Sequence, residues 1–169
     1  ECLAKAGYPS GLSIEMHCQN GKYPMDKEIA QILAQQLNQV GIKITLIPLE
    51  FGQFQSQMTA KKLAPVYTTG GNNVLLDTDP QLNAFYGTTG ALSTYSNKAL
   101  DDLVDEGRTS AEIEDRIAVY EKAFTLLRDD AGGIGVIQYA LISASSNKVE
   151  WAPRPDGRIR AYDIGLRSQ

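Results

Sequence analysis

The stretch that decides the fold is residues 12–48, LSIEMHCQNGKYPMDKEIAQILAQQLNQVGIKITLIP. Apolar and polar residues alternate at 12–17 and again at 42–46, which is the period-two pattern of a β-strand. Between them, apolar residues recur every three or four positions and predict a helix that Asp26 caps and Gly41 ends. Strand, helix and strand in this order predict a βαβ unit with a right-handed crossover. The fold class is therefore α/β, with a mixed sheet flanked by helices.

A second informative stretch is residues 64–87, APVYTTGGNNVLLDTDPQLNAFYG. It predicts a short buried strand at 65–68, a glycine–asparagine loop, and a helix that Asp79 caps with Pro80 at its first position. The loop glycines adopt backbone angles closed to other residues and carry no Cβ to obstruct an approaching group, and asparagine amides donate and accept hydrogen bonds. Open α/β sheets bind ligands where a strand end leads to a helix start, although a turn that merely needs flexible residues gives the same local pattern. The candidate ligand-binding residues are Tyr67, Thr68, Thr69, Gly70, Gly71, Asn72 and Asn73.

The remaining pattern adds three helices and two strands around these two stretches. A helix at 51–61 has Phe54 and Met58 on its inner face, and a later helix is capped by Asn97. A capping box at 109–112 precedes a long amphipathic helix. Apolar runs at 134–141 and 144–149 predict two further strands. The predicted core stripe of the long helix consists of Ile113, Ile117, Tyr120, Phe124 and Leu127.

Composition and charge exclude several classes of function. The chain has 169 residues, a net charge of −4 and no basic stripe, which argues against nucleic-acid binding. No apolar run approaches the roughly 20 residues that span a bilayer. One histidine and two cysteines do not assemble a zinc-type cluster, and Asp77 with Asp79 lacks the further oxygen ligands of a calcium site. We therefore expect neither a metal nor a cofactor.

Catalytic chemistry has no visible site in this sequence. His17 and Cys18 are neighbours on a predicted strand, so their side chains point to opposite faces and do not form a dyad. Neither the phosphate-binding GxxxxGK[ST] pattern nor the GxSxG nucleophile pattern occurs. Tyr67 borders the glycine loop and is the aromatic residue best placed to meet a ligand. Cys2 pairs with Cys18 only if the first helix packs against the first strand, and that alternative stays open.

Four segments in this order resemble a known family: AKAGYPSGLSIEM, GKYPMDKEIAQILAQQLNQVGIKITLIPLEFGQF, YSNKALDDLVDEG and VEWAPRPDGRIRAYDI. They are similar to the C-terminal lobe of extracellular solute-binding proteins of family 5, the peptide-, nickel- and oligosaccharide-binding receptors of ABC importers. The resemblance covers nearly the whole chain and implies that residues 1–169 are one lobe of a longer, type II-like periplasmic binding protein. It implies a non-enzymatic monomer, periplasmic or extracellular and lipid-anchored in some members. Its implied partners are a peptide or similar small solute, the permease subunits and the missing N-terminal lobe. The rival reading is a ligand-sensing domain of a cytoplasmic transcription regulator.

The glycine loop departs from the family's usual pattern. Thr69 stands where a tryptophan is usual, and Asn72 or Asn73 stands near an acidic residue that can pair with the amino terminus of a bound peptide. Asp79 and Pro80 keep the usual acidic–proline pair. A neutral amide makes a weaker bond to an ammonium group than a carboxylate does. Either another residue holds the amino group, or the ligand is not a free-amine peptide.

Overall fold

Two parallel strands joined by a helix form the start of the chain in the computed structural model. After a short helix α1 (Cys2–Lys5), strand β1 (Leu12–Asn20) pairs with β2 (Ile42–Glu50) along its full length, and α2 (Asp26–Gln39) connects them. The predicted βαβ unit is therefore confirmed. The structure describes residues 1–71, 75–140 and 142–167, and it divides into two units, Glu1–Gly71 and Asn72–Gln169.

The sheet of the first unit gains a third strand on the other side of β1. Helix α3 (Phe51–Thr59) leads from β2 to β3 (Val66–Thr68), and β3 pairs in parallel with β1, so the strand order is β2-β1-β3. The predicted buried strand is an edge strand, and Val66 is exposed because nothing in the described residues covers its outer side.

Helices α2 and α3 cover opposite faces of this sheet, and neighbouring strand residues, whose side chains point to opposite sides, pack against one helix or the other. Met16 and Cys18 pack with Ala30 and Ala34 of α2 in one buried cluster. On the other face, the Phe54 ring of α3 is fully buried and meets the Tyr67 ring edge-on, with centroids 6.3 Å apart. Phe54 and Met58 are the inner face that the sequence predicts.

Helix α2 ends as predicted but begins differently. Gly41 follows its last turn with φ +90°, a left-handed angle that glycine adopts without strain. The helix begins at Asp26, and the residue before it, Met25, is the N-cap. Asp26 instead accepts hydrogen bonds from the backbone N–H groups of the preceding turn and of its own neighbour, namely Gly21, Lys22, Tyr23 and Lys27.

The described residues of the second unit form three α-helices and a small antiparallel pair of strands. The helices are α4 (Thr78–Tyr86), α5 (Lys98–Thr109) and α6 (Ile113–Asp129), and the strands are β4 (Val149–Glu150) and β5 (Gly165–Leu166), with a 3-10 turn at Ala161–Asp163. Asn97 caps α5 as predicted, since its side-chain oxygen accepts from the N–H groups of Ala99 and Leu100. The buried helical core consists of Leu82, Leu100, Val104, Tyr120, Ala123 and Leu127.

Two predicted helix starts are wrong. The residue that caps α4 is Asp77, whose carboxylate accepts from the N–H of Asp79 at 2.9 Å, because Asp77 is the last residue in extended conformation. The predicted capping box is absent because α5 runs through Thr109, and the Thr109 hydroxyl donates to carbonyls of its own helix. Helix α6 begins at Ile113 without a side-chain cap.

The buried face of α6 differs from the predicted stripe. Tyr120 and Leu127 are buried, but Ile113, Ile117 and Phe124 are exposed. The face that packs also contains Ala123, and at Gly107 of α5 an added Cβ would lie 2.6 Å from the Tyr120 ring. Small residues let the two helices approach closely there, so the helix is rotated away from its larger apolar side chains.

The predicted late strands are also wrong, and the cysteines are not bonded. Residues 134–140 and 142–148 have no strand, and Leu141 lies outside the described residues. Ile134 and Ile142 are more than four-fifths exposed, and no described strand pairs with their segments, although a strand requires a partner. Cys2 is exposed and Cys18 is buried, and both are free thiols.

Candidate functional site

The candidate site lies at the carboxyl edge of the three-stranded sheet. All three strands are parallel, so their carboxyl ends meet at this edge. From the central strand β1 the chain passes to β2 on one side and then returns to β3 on the other side. The strand order therefore changes direction at β1. In open α/β sheets such a change leaves a crevice between adjacent strands, here β1 and β3, and ligands usually bind there.

The structure brings five of the predicted site residues to this crevice. Tyr67 and Thr68 are the last residues of β3, and Thr69, Gly70 and Gly71 follow directly. Tyr67 is half-buried against Phe54, whereas Thr69 and Gly71 are exposed. Asn72 and Asn73, the other two predicted residues, lie outside the described residues.

Gly70 is held by an aromatic residue from the loop after β1. The Tyr23 hydroxyl donates a hydrogen bond of 2.9 Å to the Gly70 carbonyl oxygen. A Cβ added to Gly70 would lie 2.7 Å from a carbon of the Tyr23 ring, and Gly70 has no left-handed φ angle. The expectation that Gly70 leaves room for an approaching group is thus corrected, because the Tyr23 ring fills that room.

Gln19 lies beside the predicted residues of the candidate site, although the sequence pattern did not indicate it. It is 3% exposed near the end of β1, one residue beyond the Cys18–Thr68 register pair. Its Nε2 donates to the Thr69 hydroxyl oxygen at 3.4 Å, and its Oε1 is buried with no hydrogen-bond partner in the described part of the chain. A glutamine at the end of a central buried strand is the signal that could have found it.

Charged and amide side chains surround the candidate site at the carboxyl edge of the sheet. The Lys22 ammonium lies 4.4 Å from the centre of the Phe51 ring, and Asn20 donates to the Glu50 carboxylate at 2.9 Å. Partial burial raises the pKa of Asp26, but the four backbone N–H groups bonded to its carboxylate outweigh burial, so the net pKa is lowered. Asp26 therefore holds the turn that carries Tyr23.

His17 has a structural role beneath the site. It is 9% exposed, and its Nδ1 accepts the backbone N–H of Ala64 at 3.1 Å. Cys18 packs on the other face with α2, so the two side chains diverge as predicted, and burial raises the pKa of the Cys18 thiol.

The chemistry of the crevice is that of neutral hydrogen-bonding groups. Its hydrogen-bonding groups include an amide, two hydroxyls and a backbone carbonyl, from Gln19, Thr69, Tyr23 and Gly70. Among residues 1–71, 75–140 and 142–167, no three acidic, histidine or cysteine side chains are grouped to hold a metal ion. Within the same ranges, no helix has the length and apolar character to cross a bilayer. The arrangement is suited to binding a polar solute between neutral groups.

Tyr86, Tyr95, Tyr139 and Trp151 are aromatic residues of the second unit. Tyr86 and Tyr95 pack against the helical core of the second unit. Tyr139 is 40% exposed in a segment without regular structure, so its predicted place in a core strand is wrong. Trp151 follows β4, and its indole Nε1 is buried with no partner in the described residues.

Comparison with known proteins identifies similar sequences and folds. The family model described as "Bacterial extracellular solute-binding proteins, family 5 Middle" matches residues 1–93. The glutathione-binding protein GsiB of Escherichia coli (strain K12) is 25% identical over 178 aligned residues, which cover 99% of this chain and 35% of that protein. The chain thus spans about a third of the length of the curated relatives it matches.

Solved structures share the fold at low sequence identity. HbpA2 from Haemophilus parasuis superposes with a TM-score of 0.76 at 18% identity, covering 98% of this chain and 34% of that one. The periplasmic binding protein DppA from Helicobacter pylori, in complex with the peptide STSA, gives a TM-score of 0.64 at 20% identity over 76% of this chain and 26% of its own.

Proposed function

This chain belongs to the bacterial extracellular solute-binding proteins of family 5, and from that premise we propose that residues 1–169 form the C-terminal ligand-binding lobe of a receptor for an ABC importer. The observation that supports the proposal is the crevice between the carboxyl ends of β1 and β3, where neutral hydrogen-bonding groups converge. Such a lobe binds and releases a solute without covalent chemistry.

The proposed mechanism is capture between two lobes. The residues Tyr67, Thr68, Thr69, Gly70, Gly71, Asn72 and Asn73 supply this lobe's contacts, and an N-terminal lobe supplies the others by hinge closure over the solute. The closed receptor then delivers the solute to permease subunits in the membrane. In this scheme the protein is a monomer in the periplasm or outside the cell, with a lipid anchor in the extracellular case.

The proposed ligand is a short peptide or a peptide-like solute. Similar proteins include one named for glutathione and one solved with a tetrapeptide. Peptide ligands expose many N–H and C=O groups, which neutral amides, hydroxyls and backbone groups can match without a buried charge. Since asparagines stand near the usual acidic position, this loop contributes no carboxylate to a terminal ammonium.

Calorimetric titration of the full-length protein tests the proposal. The probes are glutathione, the tetrapeptide Ser-Thr-Ser-Ala and a panel of di- to pentapeptides. The variant Gly71→Phe places a bulky ring at the exposed end of the β3 loop, and we expect at least a tenfold loss of affinity with an unchanged melting temperature.

The matched control is Gly52→Phe, at the start of α3. An added Cβ there meets no atom within 4 Å, and the position lies at the same sheet edge but beyond β2. We expect the control to bind as the wild type does. Equal affinity of Gly71→Phe and wild type would contradict the site, and no binding of any probe by the wild type would contradict the peptide receptor.

A further inference from the structure

One buried acceptor at the crevice has no hydrogen-bond partner among the residues that the structure describes. Gln19 is 3% exposed, and its Oε1 is unpaired in the part of the chain that the structure describes. A buried polar atom without a partner costs stability, because it has lost its bonds to water and gained none. Buried side-chain oxygens in folded proteins are therefore rarely left in this state, and a ligand atom is one way to complete the bond.

The position of this oxygen is fixed by its neighbours. Strand alternation places the side chains of Gln19, Tyr67 and Thr69 on the same face of the sheet, the face that α3 covers. The Nε2 group donates to the Thr69 hydroxyl at 3.4 Å, which orients the amide at the β1–β3 crevice. The loop residue after Thr69 is fixed as well, because the Gly70 carbonyl accepts from the Tyr23 hydroxyl.

We propose that Gln19 is a ligand-contacting residue whose side-chain oxygen accepts a hydrogen bond from a nitrogen-borne N–H of the bound solute. The inference rests on the proposed function and sharpens it, because it requires a ligand with an N–H donor. A peptide offers this donor in two places, its terminal ammonium and its backbone amides. An amide oxygen accepts from either group, so Gln19 replaces part of what a carboxylate does in other members that this chain resembles.

The decisive variant is Gln19→Met, which has similar length and no acceptor. If Gln19 serves the ligand, its replacement by an apolar side chain removes an unpaired buried oxygen and leaves the unliganded protein at least as stable. We expect affinity for glutathione or for Ser-Thr-Ser-Ala to fall about tenfold while the melting temperature of the free protein stays equal or rises. If the role were structural, the melting temperature would fall and affinity would not.

Two further variants complete the experiment on the full-length protein. Gln35→Met, on the exposed side of α2, is the matched control and is expected to change neither quantity. Gln19→Asn keeps the amide but withdraws it by one methylene, and we expect an intermediate loss of affinity. Gln19→Asn gives the same readout should Gln19→Met fail to fold.

N-acetylated forms of both probes distinguish the two donors. If acetylation weakens binding to the wild type but not to Gln19→Met, Gln19 accepts from the ammonium group of the ligand. If acetylation weakens binding to both proteins equally, or to neither protein, Gln19 accepts from a backbone amide of the ligand. Wild-type binding with an unchanged Gln19→Met affinity overturns this inference alone. Absence of wild-type binding to every probe overturns the proposed function and this inference together.

Discussion

The polar groups of the two units are used in different ways. Between the three helices of the second unit they bond to one another: Arg116 of α6 pairs with the α4 cap Asp77 at 2.6 Å and donates to the Gly107 carbonyl of α5 at 2.7 Å. At the carboxyl edge of the sheet, by contrast, the Gln19 side-chain oxygen has no partner among the described residues, and Thr69 is exposed. Paired groups fix helices in place, whereas a group with unused bonding capacity can accept a bond from a solute. The comparison therefore separates groups that stabilise the helices from the groups that we propose for binding.

The second unit has another cluster of polar side chains that bond to one another. The Tyr95 hydroxyl donates to Asp130 after α6, and Asn97, the cap of α5, donates to both. The hydrogen bond from Tyr95 lowers the pKa of Asp130, because it stabilises the charged carboxylate. This cluster joins the start of one helix to the end of the next.

The largest expected effect comes from a residue that supports the binding edge by packing. Phe54→Ala removes a fully buried ring and the edge-on partner of Tyr67, so we expect a loss of about 3–5 kcal/mol in the free energy of unfolding. Urea denaturation measures it. Phe124→Ala, where the ring is 52% exposed, is the control and should cost well under about 1 kcal/mol. Similar losses for both would refute the assignment of Phe54 to the core.

A smaller effect is expected from the inter-helix ion pair. Arg116→Met breaks the bonds to Asp77 and to the Gly107 carbonyl, and partial exposure of both charged side chains keeps the expected loss to about 1–2 kcal/mol. Ligand affinity should not change, because the group serves stability only. Arg128→Met, whose side chain is 74% exposed beside Asp129, should have no measurable effect on unfolding. A loss of affinity in Arg116→Met with normal stability would break the comparison between the units.

The hydroxyl that holds the glycine loop sharpens the comparison. Tyr23→Phe removes the donor to the Gly70 carbonyl but keeps the ring against Gly70, so we expect about 0.5–1.5 kcal/mol less stability and a severalfold weaker affinity. Tyr8→Phe, at an exposed position of the same unit, is the control for both measurements. Unchanged affinity in Tyr23→Phe would show that the hydrogen bond to the Gly70 carbonyl is not required for ligand binding.

The smallest expected effect is a pH dependence from Asp26. Its pKa in the folded protein lies below the ordinary value of an aspartate, because backbone N–H groups stabilise the carboxylate. Its contribution to stability is therefore present above about pH 4 and is lost as the pH falls through the folded pKa. Asp26→Asn should therefore be less stable than the wild type at pH 6, with the difference shrinking towards pH 3. Chemical denaturation at several pH values measures it. A difference independent of pH would mean that the charge of Asp26 is not what holds the turn.

The sequence predicted those parts of the fold that depend on local pattern. The βαβ unit follows from two alternating strands around one amphipathic helix, and the Asn97 cap follows from an Asx side chain before an apolar repeat. The α6 face was mispredicted because two neighbouring stripes both fit a helical period. Which stripe is buried depends on Gly107 and Ala123 allowing close approach, and that is a property of the helix pair.

For the candidate site, too, local pattern predicted position but not neighbours. The position of Tyr67 to Gly71 at a strand end follows from chain order, but the neighbours of that strand end do not. Because β3 pairs with β1, a residue about fifty positions earlier, Gln19, is brought to Thr69, and Tyr23 to Gly70. Non-local pairing of this kind leaves no mark in the pattern of either segment. Residues 134–140 and 144–148 do not form strands for a related reason, since pairing needs a partner strand that their own residues do not encode.

The contact between the Tyr23 ring and Gly70 gives the loop a natural magnetic reporter. An aromatic ring in van der Waals contact with a glycine shifts the resonances of the glycine α-protons by its ring current, and the shift depends steeply on distance and angle. The Gly70 α-proton signals therefore record the position of the binding loop without any attached label. Following them during a titration would show whether the loop moves as a solute enters, or is already in its bound position beforehand.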